Sequence, residues 1–588
     1  MAEVNDITEY ARVVGVGPDL IQVEVTSTQE YEKLDKQLEI GSYLKISDDN
    51  NSTVVAIVQS YRIRDRMPTD DKEAALPTFV IDTQPVGRLE DGKFRRGGKQ
   101  ITIPPKHVSI ASSDVLAEIY GDTEADTALS FGTLAQDNSV RVVVDGDRFF
   151  GKHIGVVGST GSGKSCTVAK ILQEGIKPTN AQGKVGALNN SHIIIFDLHG
   201  EYSPAFPDAR VIGVNDLRLP YWLMNSEELE EMFIESHEQN SHNQISQFRQ
   251  AVIENKALHA GTKAGKMSYD SPVYFSLSEV INYLSNMNKE VVSKEAGENG
   301  PKLVDGTVLA ERSPKYFEGK HEFVASSQAA GKKAGNGPFN GEFDRFLMRL
   351  EGRRNDKRLD FLLAPKKEDG SEYKTEDFME LLQGITGYGG TNTNVTIIDL
   401  SGIPFEVLSV VVSLMTRLIF ALSFHLKKNR KTEDRELPFL LVYEEAHNYV
   451  PQSEGAKYGS VKKAIERIAK EGRKYGVSLM IVSQRPSEIS ETVFSQCNNF
   501  VAMRLTNPVD QRYVKRLLPD NLGAVTDSLP SLERQEVILI GDAVAVPSLT
   551  KIDDIENKPD SHDIKFHTEW KRDWLDIDMA DAISKWTS

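Results

Sequence analysis

Apolar residues in this chain recur with two periods, and the change from one to the other divides it. From Tyr10 to Val108 the apolar runs are short and β-rich (ARVVGVG, LIQVEV, SYLKIS, TVVAIVQSYRI, TFVIDTQPVG) and are separated by turn residues. This spacing predicts a small barrel over 1–125. SDDNNS and MPTDDKE read as solvated loops between its strands. Beyond RVVVD (Arg141 to Asp145) strand-like and helix-like patterns alternate: HIGVVG, TVAKILQ and HIIIFD, all within 126–224. SEELEEMFIE and VYFSLSEVINYLSNM carry helical periodicity, whereas KEAGENGPKLVDG and SSQAAGKKAGNGPFNG carry none. The span 225–390 is therefore expected to be a helical insertion, with mobile or partner-ordered loops between Lys289 and Asn340.

Alternation resumes at VTIIDL (Val395 to Leu400). A long apolar helix from about Phe405 to Lys427 follows, then FLLVYE, a charged helix around Lys462 to Lys474, VSLMIVSQ, NNFVAMRL and EVILIG. Strands alternating with helices predict an α/β core with a mainly parallel sheet, covered on both faces and completed by 391–551. The tail 552–588 is polar apart from Trp570, Trp574 and Trp586, which could dock on this subunit or on a neighbour.

Composition narrows the partners. At 588 residues the chain exceeds the size of a single core, and 39% hydrophobic residues suit a globular protein. The most apolar stretch, Val407 to His425, is interrupted by Ser409, Ser413, Thr416 and Arg417, so it reads as a buried helix with no membrane partner. MAEVNDITEY lacks the basic start and apolar stretch of a secretory signal, which implies a cytoplasmic protein. The two cysteines, Cys166 and Cys497, form neither a disulfide framework nor a zinc cluster. A net charge of −17 argues against a surface attracted to nucleic acid as a whole and confines any such contact to a groove or pore.

Candidate chemistry centres on GSTGSGKS: Gly158, Ser159, Thr160, Gly161, Ser162, Gly163, Lys164 and Ser165, with Cys166 abutting it. Set between a strand and a helix, this G-x-x-x-x-G-K-S pattern turns backbone N–H groups toward a polyphosphate at the positive helix end. Lys164 is placed to reach the β and γ phosphates of ATP, and the Ser165 hydroxyl to hold Mg²⁺. FLLVYE ends in Glu444 and Glu445: the first suits the Mg²⁺ shell, the second the polarisation of an attacking water. Gln484, at the tip of the next strand, suits a phosphate sensor. Arg467 and Arg473, in ERIAKEGRKYG, are candidates for a cation that completes a neighbour's site, and the helix-ending glycines Gly472 and Gly476 favour Arg473.

Taken in order, GSTGSGKS, FDLHGEY, IIDLSG, VYEEAHNYVP, EGRKYG and SQRPSEIS resemble the HerA family of hexameric ATPases, related to FtsK-type DNA pumps. The resemblance implies an N-terminal β-barrel, a RecA-like core with a helical insertion, and a C-terminal extension bracing the adjacent subunit. It implies Lys164 and Ser165 on nucleotide and metal, Glu445 as catalytic carboxylate, Gln484 as sensor and Arg473 as trans finger. Asp197 and Glu201 match a motif near the phosphates, and Lys152 stands where the family often has a basic residue. A homo-hexamer with double-stranded DNA in its central pore is implied, as is a separate nuclease or sirtuin-like, NAD-degrading effector, the latter in antiphage defence. Two other readings remain open at this level: a conjugation or secretion motor, and a ring scaffold that uses nucleotide only as an assembly switch.

Overall fold

A computed structural model describes residues 7–26, 38–47, 53–64, 78–90, 93–97, 107–121, 123–177, 188–234, 241–329, 333–390, 392–431, 435–453, 459–517, 526–561 and 564–587. Most of SDDNNS and all of MPTDDKE lie outside them.

The N-terminal strands are β1 (Ala11–Val16), β2 (Ile21–Val25), β3 (Tyr43–Ser47), β4 (Thr53–Arg64), β5 (Thr78–Glu90), β6 (Lys93–Arg96) and β7 (His107–Ile110). They form one antiparallel sheet in the order β1-β2-β5-β4-β3-β7, with β6 on β5. Of the expected small barrel the described residues show a curled sheet whose edge strands β1 and β7 do not pair as strands, although the Ile7 N–H just before β1 donates to the Val108 carbonyl on β7 at 3.1 Å. Register shifts at Val55/Ala56 and Val58/Ser60 bend β4 over β5, and such bulges curl a sheet. Alternating inward residues (Ile21, Val23, Val25, Leu44, Ile46, Val54, Val58) build a separate small core.

The remaining strands are β8 (Ala128–Leu134), β9 (Asp137–Asp145), β10 (His153–Val157), β11 (His192–Asp197), β12 (Arg210–Ile212), the short pair β13 (Val291–Ser293) and β14 (Ala334–Asn336), then β15 (Val395–Asp399), β16 (Phe439–Tyr443), β17 (Val477–Ser483), β18 (Cys497–Ala502), β19 (Glu536–Gly541) and β20 (Ser548–Ile552). The large sheet runs β12-β15-β11-β16-β17-β10-β18-β19-β20-β8-β9. It is parallel from β12 to β18, as the apolar runs implied, and antiparallel from β18 to β9. The parallel half puts the carboxyl ends of β10, β11, β16 and β17 along one edge, where a doubly covered sheet places its ligand crevice.

The helix Phe405–Asn429 is long and apolar enough to cross a membrane, yet 78% of its most apolar window is buried inside this fold. Arg417 on that helix forks onto the fully buried Glu228 carboxylate, and Ser413 donates to the same group. This pins the start of the insertion to the core of the large sheet. The insertion contains the helices Ser241–His259 and Leu277–Lys289, but the expected loops between Lys289 and Asn340 are largely ordered. Buried polar side chains hold them: Glu290 accepts two 2.9 Å bonds from Arg312 and one from the Tyr316 hydroxyl, while Asn286 and Asn288 bond backbone groups.

Past Ile552 the chain crosses the core once more. Arg141 forks onto Asp553, Gln173 donates to the Asn557 carbonyl, and the Asp560 N–H donates to the Glu201 carbonyl at 2.8 Å. Beyond it Trp570, Trp574 and Trp586 are 77%, 94% and 89% exposed, so the first part of the tail lies on its own subunit while its tryptophan-bearing end stands off it.

Candidate active site

The loop Gly158 to Gly163 leaves the carboxyl end of β10 and enters the helix Lys164–Ile176. Gly161 and Gly163 adopt φ of +76° and +93°, which a side chain would strain. A Cβ at Gly158 would stand 2.7 Å from Ser162 Oγ and 2.8 Å from Met503 Cβ. The helix begins at Gly163 with no side-chain cap, so its first N–H groups stay available to an anion at its positive end.

Lys164 is buried, and its Nζ lies 3.0 Å from Glu445 Oε1 and 3.4 Å from Glu444 Oε1. The two glutamates follow β16 directly and are themselves buried. Glu445 holds a left-handed backbone (φ 49°, ψ 47°), a conformation that costs a non-glycine residue about 1–3 kcal/mol and clusters at functional sites. That turn aims the carboxylate at Lys164 and Gln484 rather than along the strand. Gln484 donates to Glu445 Oε1 and accepts from the Thr160 hydroxyl, which ties the loop to the carboxylate. Glu445 Oε2 accepts no hydrogen bond, although His447 Nδ1 stands 3.3 Å away. A general base for water needs an oxygen within hydrogen-bond reach of that water, and this one is not taken up by a protein donor.

The paired acids are driven apart. Burial raises the Glu444 carboxyl above its ordinary value, and the nearby Glu445 charge adds to that rise against the opposing pull of Lys164. Burial pushes Glu445 the same way, but the Lys164 ammonium and the Gln484 amide outweigh it and hold this carboxyl below the ordinary range. The two shifts run in opposite directions, and Glu445 is the one held toward its ionised form.

The Ser165 hydroxyl donates to Glu201 Oε2 at 3.2 Å, and the Tyr202 hydroxyl donates to Glu444 Oε2 at 2.9 Å. The donor set available to a metal is oxygen only, and no group of three or more His, Cys, Asp or Glu side chains gathers for one among the described residues. That fits Mg²⁺, which keeps several waters and binds through one or two protein oxygens plus substrate phosphates. Ser165 and Glu444 are the residues that would hold it, and the bound ion would neutralise charge on the phosphate oxygens.

The structure brings Lys164, Ser165, Glu444, Glu445, Gln484 and Thr160 together, with Ser159 tied to Thr506 behind the loop and Cys166 half-buried on its helix. It does not bring Arg473 there. Arg473 follows the helix Gly459–Glu471, donates to Asn498 Oδ1 at 3.2 Å, and lines a cavity of about 440 Å³ with Gly151, His192, Phe439 and Val477, at the amino ends of the strands. Lys152 lies on that same far edge, paired with Asp542, and Arg467 packs over the Phe420 ring. Sequence reasoning passed over Tyr202 and His447. Both stand inside quoted motifs, FDLHGEY and VYEEAHNYVP, and their position beside the acidic residues was the available signal.

Residues 129–419 match the family model for the central domain of the helicase HerA. The chain is 26% identical over 508 residues to the DNA double-strand break repair helicase HerA of Sulfolobus acidocaldarius, covering 84% of this chain and 82% of that protein. A probable DNA double-strand break repair helicase HerA of Methanocaldococcus jannaschii is 23% identical over 552 residues, 92% of this chain and 96% of the relative. Among solved structures, VirB4 of Thermoanaerobacter pseudethanolicus is 15% identical with a TM-score of 0.44, covering 73% of this chain and 97% of that one.

Proposed function

This chain belongs to the HerA family of P-loop ATPases and hydrolyses ATP with Mg²⁺, and from that premise we propose that it is a cytoplasmic, hexameric motor on double-stranded DNA. In this reading Lys164 binds the β and γ phosphates, Ser165 and Glu444 serve the metal, Glu445 activates water, and Gln484 senses the γ-phosphate. The observation that carries it is the placement of Arg473 on the sheet edge opposite the P-loop. No movement of a side chain spans that sheet, so in this reading Arg473 acts on the phosphate of a neighbouring subunit and not on that of its own. The exposed tail tryptophans support the same assembly, because a second copy supplies the surface their own subunit does not.

DNA lies in the central pore and is held by its phosphates, largely without regard to sequence. A separate nuclease or sirtuin-like effector docks on the N-terminal sheet face, in antiphage defence or DNA end processing. The test mixes two inactive variants, Arg473→Ala and Glu445→Ala. Rings containing both should recover part of the ATPase activity, because some interfaces then join an intact Glu445 to an intact Arg473. Inactivity at every mixing ratio rules out the shared cleft.

A further inference from the structure

Two residues adjacent in sequence, Glu201 and Tyr202, reach two metal-serving side chains that lie far apart in the chain. Glu201 Oε2 takes the hydrogen bond of the Ser165 hydroxyl, and the Tyr202 hydroxyl gives one to Glu444 Oε2. Tyr202 and Glu444 are both buried, so this 2.9 Å bond is shielded from water.

The turn that presents the pair is itself fixed. Asp197, the last residue of β11, is fully buried and accepts N–H bonds from His199 (3.3 Å), Gly200 (3.0 Å) and Tyr202 (2.8 Å). Gly200 turns with φ +71°, and a Cβ there would lie 3.4 Å from the Asp399 carboxylate. On its outer side the Glu201 carbonyl accepts the Asp560 N–H. A turn held by a buried carboxylate within and a chain crossing without has little freedom to redirect its two side chains.

We propose that the turn Leu198 to Tyr202 is a positioning clip: Glu201 orients the Ser165 hydroxyl and Tyr202 orients the Glu444 carboxylate, so that both arrive pre-set for the metal of the Mg²⁺–nucleotide complex. Neither clip residue need touch the nucleotide. Outer partners of metal ligands typically change metal affinity by about 10–100-fold when removed. The inference rests on the assignment of Ser165 and Glu444 to Mg²⁺ and adds the residues that set their geometry.

The clip makes a prediction that a purely structural role does not share. Binding of a fluorescent ADP analogue to the full chain is measured in EDTA and across a Mg²⁺ titration. In Tyr202→Phe the affinity in EDTA should stay within about twofold of the parent, while the Mg²⁺ concentration for half-maximal enhancement rises about tenfold. Glu201→Ala should behave alike, and Glu201→Gln, which keeps an acceptor for Ser165, should recover most of the loss. Equal weakening with and without Mg²⁺, or an unchanged Mg²⁺ requirement in both Tyr202→Phe and Glu201→Ala, overturns the proposal. Ser165→Ala and Glu444→Gln separate the two levels. If they leave the Mg²⁺ requirement unchanged, the metal assignment itself has failed; if they raise it while the clip variants do not, only the clip has.

Discussion

Replacing Lys164 by Met tests whether the site is an electrostatic unit. The ammonium lies 3.0 Å from one carboxylate and 3.4 Å from the other, all three groups being buried. At an effective dielectric of about 20 each attraction is worth about 5 kcal/mol, most of it offset by desolvation of the ions. Removing one partner from such a group leaves charge uncompensated and costs about 3–5 kcal/mol. At about 2 °C per kcal/mol for a unit of this size, the nucleotide-free melting temperature should fall by about 6–10 °C. The loss should depend on pH. Without Lys164 both carboxyls bind protons more readily in the folded than in the unfolded chain, so the deficit shrinks as pH falls from 8 to 5. Adding Glu445→Gln to Lys164→Met should restore more than half of it. Scanning fluorimetry of the three proteins at both pH values decides the matter. A melting temperature within 2 °C of the parent, or a deficit that grows on acidification, refutes the reasoning.

Glu445→Gln should bind ATP with near-parental affinity yet lose turnover by at least about 100-fold, as read by nucleotide binding and phosphate release. His153 is buried with Nε2 3.0 Å from the Ala469 carbonyl and Nδ1 accepting the Leu479 N–H; burial lowers its pKa to about 4. Its folded-state value lies below the unfolded one, so its contribution is complete above about pH 6.5 and is lost toward pH 4, at up to about 1.4 kcal/mol per pH unit. Denaturant titrations should show a shallower pH slope in His153→Gln. Arg417→Met strands the buried Glu228 carboxylate and should destabilise by about 3–5 kcal/mol, whereas Arg417→Met with Glu228→Met should regain most of it in the same titration.

The parallel strands were legible because each is a short, continuous apolar run, and the glycine loop because its spacing encodes backbone turns that only glycine makes freely. The antiparallel extension was not: β20 pairs with β8 across more than 400 residues, and no local pattern records such a partner. The segment from 291 to 340 lacks periodicity because buried polar contacts to Asn286, Asn288 and Glu290 hold it in place of an apolar face. Within the site, residue types could be read but directions could not. Glu445 follows Glu444 at a strand end in the sequence, yet its left-handed backbone is what separates the directions of their side chains. The helix-ending glycines point to Arg473 in the sequence, and only the sheet reveals that it lies on the far edge.

The tryptophans divide unevenly. Of four in the chain, Trp222 is buried in the core and its indole bonds the Tyr373 carbonyl, while the other three stand in water on the tail. In the proposed ring the tail is therefore an optical gauge of assembly. Emission from the free tail should be red-shifted and readily quenched by iodide, and engagement by another copy should move it to the blue against the constant contribution of the interior indole.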